Sequence, residues 1–135
     1  MTDNNCIFCK LASGEIPSYT VYEDDTFRAI LDAAPAGEGH TLILPKSHYE
    51  NLFELPEDVA ADAMRLAKKI ATLLRDRMHC DGVNILQNNG AAAGQTVMHY
   101  HLHVIPRTEG DGHLAPWTPV QRSPEEQEAT IEKMR

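Results

Sequence analysis

Basic side chains are in short supply: the 135 residues include 12 lysines and arginines against 20 aspartates and glutamates, for a formal net charge of −8. A protein that binds nucleic acid polymers needs a basic surface for the phosphate backbone. We therefore expect no nucleic acid polymer as a partner. A small phosphorylated ligand remains compatible with this charge, because it requires only a local group of donors.

Long apolar runs and targeting signals are also absent. No stretch approaches the roughly 20 apolar residues of a membrane-spanning helix, so we expect no membrane partner. The first five residues are polar and lack the basic and apolar regions of a secretory signal, which predicts a cytoplasmic location. With 42% hydrophobic residues and no internal repeat, residues 1–135 are expected to form a single domain with one core.

Cysteine is scarce, and the three that are present cannot all pair within one chain. Cys6 and Cys9 form a Cys-x-x-Cys pattern. In a reducing compartment this pattern is a metal half-site or a redox pair more often than a structural disulfide. Two buried thiols are the alternative. Cys80 is expected to be an ordinary residue at a helix end.

Hydrophobic periodicity and turn residues predict an α+β fold with a mainly antiparallel sheet, one long helix and a short C-terminal helix. Strands are predicted at 20–23, 27–31, 40–44 and 83–87, a helical turn at 6–12, the long helix at 56–78, and the terminal helix from 123 to about 133. The apolar stripe of the long helix comprises Val59, Ala63, Leu66, Ile70 and Leu73. The segment 40–44 is apolar almost throughout, which predicts cover on both faces.

The densest cluster of chemically active side chains lies at 96–106. His99, His101 and His103 alternate there with apolar residues. Successive side chains of a strand point to opposite faces, so a strand would place the three imidazoles on one face and a packing surface on the other. On a helix they would diverge by about 200° at each step. We predict a strand.

A face of imidazoles suits nucleophilic attack on phosphorus. A neutral imidazole, with an ordinary pKa of about 6.5, attacks readily at neutral pH, and water can then cleave the labile N–P bond. The small residues of loop 89–96 could offer backbone N–H groups to phosphate, and Asn88, Gln95 and Thr96 could add side-chain donors. No Gly-Lys-Ser pattern of a phosphate-binding loop is present.

Metal binding is the second interpretation of the same residues. Three histidines on one face could hold a catalytic zinc. Alternatively, one of them could join Cys6, Cys9 and another histidine in a closed structural site, for which His48 is the obvious candidate. The spacings do not match a zinc finger, so the residues alone leave both versions open.

The segment His99-Tyr100-His101-Leu102-His103-Val104-Ile105 resembles the H-φ-H-φ-H-φ-φ signature of the histidine-triad (HIT) nucleotide hydrolases and transferases. The resemblance extends to 6–10, 14–17, 23–25, 42–48 and 94–97, and the Cys-x-x-Cys is similar to the zinc half-site of bacterial members. It covers residues 6–107. Residues 108–135 lie outside it, as a C-terminal extension whose role the sequence does not indicate.

The resemblance implies cleavage at the α-phosphorus of a purine nucleotide through a nucleotidyl-histidine intermediate. His101 would be the nucleophile, and His103, His40 and Thr96 would assist it. Binding of the nucleotide would fall to Asp32 at the ribose, to Asn88 and Gln95 at the phosphate or leaving group, and to Ile7, Phe8, Leu11 and Ile30 around the base. Structural zinc would be held by Cys6, Cys9, His48 and His99, with no organic cofactor.

The family fold is α+β, and its members form homodimers through the long helix and an edge strand, so a homodimer is expected. Two substrate classes stay open, because the N-terminal half is similar to nucleoside phosphoramidases and segments 95–97 and 105–107 are similar to dinucleoside polyphosphate hydrolases. Two other functions compete with hydrolysis: a nucleotide-binding or scaffold protein with little catalysis, and a metalloenzyme with three histidine ligands.

Overall fold

Five strands form one antiparallel sheet in the order β1-β2-β3-β5-β4. The structure, a computed structural model, describes residues 2–135, so Met1 lies outside the described range. The elements are α1 (Ile7–Ser13), β1 (Thr20–Glu23), β2 (Phe27–Leu31), β3 (Thr41–Pro45), α2 (Glu57–Met78), β4 (Gly82–Leu86), β5 (Leu102–Arg107) and α3 (Pro124–Met134), with short 3₁₀ turns at Leu52–Glu54 and Ala91–Ala93. The predicted α+β class, with one long and one C-terminal helix, is confirmed.

The central strand β3 explains the apolar run seen in the sequence. All five of its residues are buried, as predicted from the lack of alternation. It pairs with β2 on one side and with β5 on the other, where Leu42 faces His103 and Ile43 faces Leu102. Side chains that share a face with Leu42 therefore lie near His103.

Helices on both faces divide the expected single core into two parts. On one face α2 packs on Phe27, Ala29, Ile43, Leu102 and Val104. On the other face Ala12 of α1 packs with Ile30, Leu42 and Leu44, and Phe8 and Leu11 lie at its edge. The second, smaller part supports the face that carries the imidazoles.

One member of the predicted α2 stripe is wrong. The buried residues of α2 are Ala63, Leu66, Ala67, Ile70 and Leu74. Leu73 is 41% exposed, and Val59 is only partly buried against the same core. From Ile70, a full helical turn of about 3.6 residues reaches Leu74, whereas Leu73 falls on the border of the apolar face.

The predicted strand around the three histidines is wrong in its first half. β5 begins only at Leu102, and residues 96–101 are irregular. The amide of Tyr100 bonds to the carbonyl of Tyr49 at 2.6 Å, outside any ladder. The alternation nevertheless persists, because Tyr100, Leu102 and Val104 pack against α2. Only His103 of the three histidines lies on a strand.

The C-terminal segment lies mostly on the outside. Residues 108–123 contain no helix or strand, and α3 has no buried residue. The predicted cap is present: the Ser123 side chain accepts from the Glu126 amide, and the Glu126 side chain bonds back to the Ser123 amide. Within residues 2–135, every helix is too short or too polar to cross a membrane.

Candidate functional site

Two groups of ionisable side chains converge on the face covered by α1. Within each group the potential ligand atoms lie within 4.8 Å of one another; the groups are Cys6, Cys9, His48 and His99, and Asp32, His40 and His103. His101 lies beside the second group, with its ring centroid 5.0 Å from that of His103. The structure thus brings together the four residues predicted for metal binding and, next to them, the three histidines predicted for catalysis.

His99 is oriented by a backbone carbonyl on β3. Its Nε2 lies 2.9 Å from the Pro45 oxygen, which can only accept, so the ring proton is on Nε2. Its Nδ1 lone pair then faces Sγ of Cys6 at 3.3 Å and Sγ of Cys9 at 3.4 Å. Burial lowers the pKa of His99 to about 4. A neutral imidazole that donates its other N–H to a carbonyl is the form that ligates metals.

The four donors fit a tetrahedral zinc ion. Bond lengths near 2.3 Å to sulfur and 2.0 Å to nitrogen would place sulfur and nitrogen about 3.5 Å apart. Cys9 Sγ lies 3.4 Å from Nδ1 of His48, close to that value. The amides of Cys9 and Asp3 donate to the sulfurs of Cys6 and Cys9, respectively. Burial raises the pKa of the Cys9 thiol, and a divalent cation would reverse that preference because it binds the thiolate.

His101 is fixed with one nitrogen free. Its Nδ1 lies 2.7 Å from the backbone oxygen of His99, so Nδ1 carries the proton and Nε2 carries the lone pair. The ring is buried, and Phe8 meets it edge-on with centroids 4.8 Å apart. Burial lowers the pKa of His101, although the His99 carbonyl and Asp32 oppose this. The neutral, nucleophilic form is therefore favoured at neutral pH.

A backbone amide determines which ring nitrogens carry the protons in the second group. The Ala36 N–H donates to Nδ1 of His40 at 2.9 Å, so neutral His40 carries its proton on Nε2. That nitrogen lies 2.8 Å from Nδ1 of His103 and 3.4 Å from Oδ2 of Asp32. His103 therefore accepts at Nδ1 and keeps its own proton on Nε2. Burial lowers the pKa of His40 and that of His103, the latter to about 4.

These proton positions are unfavourable for a metal ion in the second group. A metal on Nε2 of His40 would displace the ring proton while Nδ1 still accepts from Ala36, and this would leave an imidazolate. The predicted alternative of one metal on all three histidines of the signature also lacks support, because Nδ1 of His99 faces two sulfurs while His103 bonds to His40.

Gln95 is buried, and both polar atoms of its side chain are hydrogen-bonded to backbone groups. Its Oε1 accepts from Gly90 N–H at 2.7 Å, and its Nε2 donates to the carbonyls of Glu50 and Val97 at 2.7 and 3.0 Å. The side chain therefore shapes the loop before β5. The expectation that this loop offers free amides is wrong for several of them, because a 3₁₀ turn and Gln95 engage the N–H groups of Gly90, Ala93, Gly94 and Gln95 within the loop.

The remaining predicted residues differ in burial. Asn88 is half-buried, and its Nδ2 would lie 3.4 Å from a Cβ on Gly94; Thr96 is exposed. Around the predicted base site, Phe8 and Leu11 are partly buried and Ile7 is 51% exposed. Ile30 is 3% exposed, so it supports Phe8 and Leu11 from the core instead of offering a free surface.

Sequence reasoning missed the backbone partners and a side-chain pair behind the loop. Gln87 and Asn89 bond to each other, and Asn89 Oδ1 accepts from the Leu52 amide at 2.7 Å. The amide-rich run 87–89 was a visible signal for such a pair. Nothing in the sequence identifies the Ala36 amide or the Pro45 carbonyl, because any residue could provide either group.

The comparisons with known proteins agree with this arrangement. A family model described as the HIT domain matches residues 13–110. The chain belongs to the HIT family. The Protein hit of Bacillus subtilis is 48% identical over 114 residues, 84% of this chain and 79% of the relative. The crystal structure of a HIT family protein from that species has a TM-score of 0.89 at 39% identity and covers 97% of this chain and 95% of its own.

Other members of the HIT family bear more specific names. An adenylylsulfatase of Arabidopsis thaliana is 45% identical over 108 residues, 80% of this chain and 55% of the relative. An adenosine 5'-monophosphoramidase of Saccharomyces cerevisiae is 43% identical over 116 residues, 85% of this chain and 71% of the relative. The structure of a zinc-bound histidine triad family protein from Mycobacterium smegmatis has a TM-score of 0.77 at 37% identity and covers 97% of this chain and 98% of its own.

Proposed function

We propose that this HIT protein cleaves a nucleoside phosphoramidate or a dinucleoside polyphosphate at the α-phosphorus through a nucleotidyl-His101 intermediate. Nucleotide hydrolysis in general accords with the family and with the two relatives named as an adenylylsulfatase and a phosphoramidase. The observation that carries the proposal is the His101 ring, whose Nδ1 is bound to the His99 carbonyl so that Nε2 is left as a free lone pair.

The reaction has two displacement steps. Nε2 of His101 attacks the α-phosphorus, a bond from nitrogen to phosphorus forms, and the bond from phosphorus to the leaving amine or phosphate oxygen breaks. An amine leaving group takes up a proton from solvent water, whereas a phosphate oxygen leaves as the anion. Water then attacks the same phosphorus and loses a proton to solvent, the bond to His101 breaks, and the nucleoside monophosphate is released with neutral His101 restored.

The groups around His101 would stabilise this chemistry. His103 keeps a proton on Nε2 because His40 donates to its Nδ1, so His103 can donate a hydrogen bond to a phosphate oxygen. Thr96 and Asn88 would bind phosphate or the leaving group. Asp32 would accept from the ribose hydroxyls. Gln95 would act by shaping the loop, since its side chain is already bonded to three backbone groups.

The base of a purine nucleotide would lie against the edge of α1. Phe8 contacts the His101 ring, Leu11 lies one turn further along the helix, and Ile7 is exposed. Ile30 would support these side chains from below. Aliphatic side chains and one phenyl ring bind purines through stacking and burial, which provides little discrimination between bases.

We infer that zinc occupies the Cys6, Cys9, His48 and His99 cluster in a structural role. All four protein ligands are present, which leaves no open position of the kind a catalytic zinc needs. The zinc-bound family member from Mycobacterium smegmatis supports this metal. Zinc would hold His99 in place, and the His99 carbonyl in turn orients His101.

We further propose that residues 1–135 form a single domain and that two copies associate through α2 and the edge strand β4. β4 is the last strand of the sheet, and its outer side is unpaired within residues 2–135. The exposed apolar residues Met64, Leu73, Ile85 and Leu86 lie on these two elements. An open strand edge with apolar neighbours is suited to pairing with another copy.

The test compares turnover of an adenosine phosphoramidate and of diadenosine tetraphosphate by wild type and His101→Ala. We expect wild type to hydrolyse at least one substrate and His101→Ala to lose at least about 1,000-fold in kcat, as nucleophile removal does elsewhere. Circular dichroism and zinc content would show that the variant is folded. Equal turnover by both proteins would exclude the mechanism, and the preferred wild-type substrate would identify the branch.

A nucleotide-binding or scaffold role is the second candidate. This role would give tight nucleotide binding without turnover. Isothermal titration with adenosine monophosphate, combined with the turnover measurement, separates the two functions. Binding by wild type with no hydrolysis of either substrate would favour the scaffold.

A further inference from the structure

The C-terminal extension contacts the loop that carries His40. An ideal Cβ on Gly37 would lie 2.5 Å from Nε2 and 2.9 Å from Cδ2 of His113. The imidazole therefore occupies the space in which any other residue would place its side chain. Gly37 does not have a positive φ, so the glycine serves this close approach and not an unusual backbone conformation.

The turn that carries His113 is anchored to the sheet. Asp111 is the centre of the turn, with a side chain only 5% exposed. Its carboxylate accepts from the Arg107 guanidinium, from the Thr108 amide at 2.9 Å and from the His113 amide at 3.0 Å. The Arg107 guanidinium also donates to Oδ1 of Asn84 on β4 at 2.8 Å. The turn that carries His113 is thus bonded to the sheet and holds the imidazole against Gly37.

Gly37 is linked directly to the proton positions of the site. Its carbonyl accepts from the His40 amide at 3.3 Å, and the neighbouring Ala36 amide donates to Nδ1 of His40. The far end of the loop is equally confined, because a Cβ on Gly39 would lie 2.6 Å from Sδ of Met78. The loop is therefore held at both ends, by α2 at Gly39 and by His113 at Gly37.

We propose that His113 is a positioning residue for the hydrolysis proposed above: by packing on Gly37 it holds the Ala36 amide against Nδ1 of His40 and thereby keeps the proton of His103 on Nε2. If the Ala36 bond is lost, His40 can carry its proton on Nδ1 and accept at Nε2. His103 must then donate from Nδ1 to His40, and its Nε2 no longer has a proton for a phosphate oxygen. The catalytic consequence rests on the proposed function; the proton positions do not.

Four variants test the contact in the full-length, zinc-loaded protein. His113→Ala removes the support, and Gly37→Ala places a methyl group against the ring. The double variant removes the ring that the methyl group would strike. Gly82→Ala is the matched control, because Gly82 has no positive φ and nothing within 4 Å of the position of a Cβ.

We expect His113→Ala to lower kcat by roughly three- to tenfold, the equilibrium equivalent of one hydrogen bond, with KM changed less than about twofold. Gly37→Ala should lower kcat at least as far. The double variant should match His113→Ala, since both lack the ring, and Gly82→Ala should match wild type. Wild-type kcat in His113→Ala would overturn the proposal.

The imidazole tautomers give a readout independent of activity. Long-range proton–nitrogen NMR correlations of ¹⁵N-histidine-labelled protein distinguish a protonated from an unprotonated ring nitrogen. We expect His40 to carry its proton on Nε2 in wild type and Gly82→Ala, and to show a mixture in His113→Ala. An unchanged tautomer, even with a lower melting temperature, would reduce His113 to a structural role. If wild type hydrolyses neither substrate, the proposed function fails, and the tautomers still decide on His113.

Discussion

At the scale of single residues, backbone groups assign a different task to each histidine. The Pro45 carbonyl turns Nδ1 of His99 toward the cysteines, and the His99 carbonyl leaves Nε2 of His101 free. The Ala36 amide directs the His40 proton toward His103. Three imidazoles that are equivalent in the sequence pattern therefore differ in which nitrogen can act.

His103 should make the free energy of unfolding depend on pH between its folded pKa of about 4 and the ordinary histidine pKa of about 6.5. Its folded pKa is about 4, mainly because it is buried, whereas the unfolded chain titrates near pH 6.5. Between these values the unfolded state binds more protons, so the free energy of unfolding falls as pH decreases. Urea titrations between pH 7 and 4.5 measure the slope of the unfolding free energy against pH. His103→Gln should lower this slope by up to the equivalent of about one bound proton.

The comparison of His103→Gln with wild type requires zinc in excess in both samples, so that metal release contributes equally. Identical slopes for the two proteins would contradict the burial of neutral His103. A steeper slope in the variant would have the opposite sign to the one expected and would contradict it as well.

At the scale of elements, the sequence pattern predicts which side chains pack against the core better than it predicts where a strand begins and ends. The alternation in 100–104 correctly separates packing residues from histidines, although the strand begins only at Leu102. Met98, which the same alternation assigns to the packing face, is 40% exposed, so the prediction is wrong there. The alternation reports on burial, and burial does not require ladder hydrogen bonds. The bond from the Tyr100 amide to Tyr49 that interrupts the strand depends on a residue 51 positions away, which local pattern does not reveal.

Two adjacent leucines of α2 provide a matched pair for the core. Leu74 is 6% exposed and Leu73 is 41% exposed. Leu74→Ala should lower the free energy of unfolding by about 2–4 kcal/mol, because it removes buried methyl groups and leaves a cavity. Within a single chain, Leu73→Ala should cost less than about 1 kcal/mol. Urea unfolding at neutral pH measures both, in samples dilute enough to dissociate the proposed dimer, in which Leu73 would be an interface residue. Equal losses under these conditions would contradict the orientation of the helix.

At the scale of the whole molecule, the cluster of two cysteines and two histidines proposed to bind zinc joins parts of the chain that are far apart in sequence. Cys6 and Cys9 begin α1, His48 follows β3, and His99 precedes β5. The ligands themselves were predicted through the family resemblance. The residues alone left two metal sites open, because spacing across more than 90 residues does not define a geometry.

Loss of zinc should therefore destabilise the entire fold. We expect about one zinc per chain in wild type and Cys80→Ser, and none in Cys9→Ser. The stabilisation expected is about 4 kcal/mol at a zinc concentration roughly 1,000 times the dissociation constant. Metal analysis and thermal unfolding with and without a chelator measure this, and a Cys9→Ser protein that retains zinc and wild-type stability would contradict the assigned ligands.

The extension shows where sequence reasoning stops. The capped helix α3 was predictable from Ser123, Pro124 and Glu126 because those signals are local. The contact of His113 with Gly37 joins residues 76 positions apart in the sequence, and nothing in 108–113 indicates it. The proposed role of His113 thus emerges only once the loop and the turn are seen together.

Trapping the covalent intermediate tests the central claim most directly. Wild type and His101→Ala would be mixed with an adenosine phosphoramidate, quenched in alkali within one turnover, digested and examined by mass spectrometry. The proposed mechanism predicts an adenylyl group on the peptide that contains His101, lost on acid treatment and absent from His101→Ala. Turnover by wild type with no adduct on that peptide, or with an adduct on His99 or His103 instead, would contradict the mechanism.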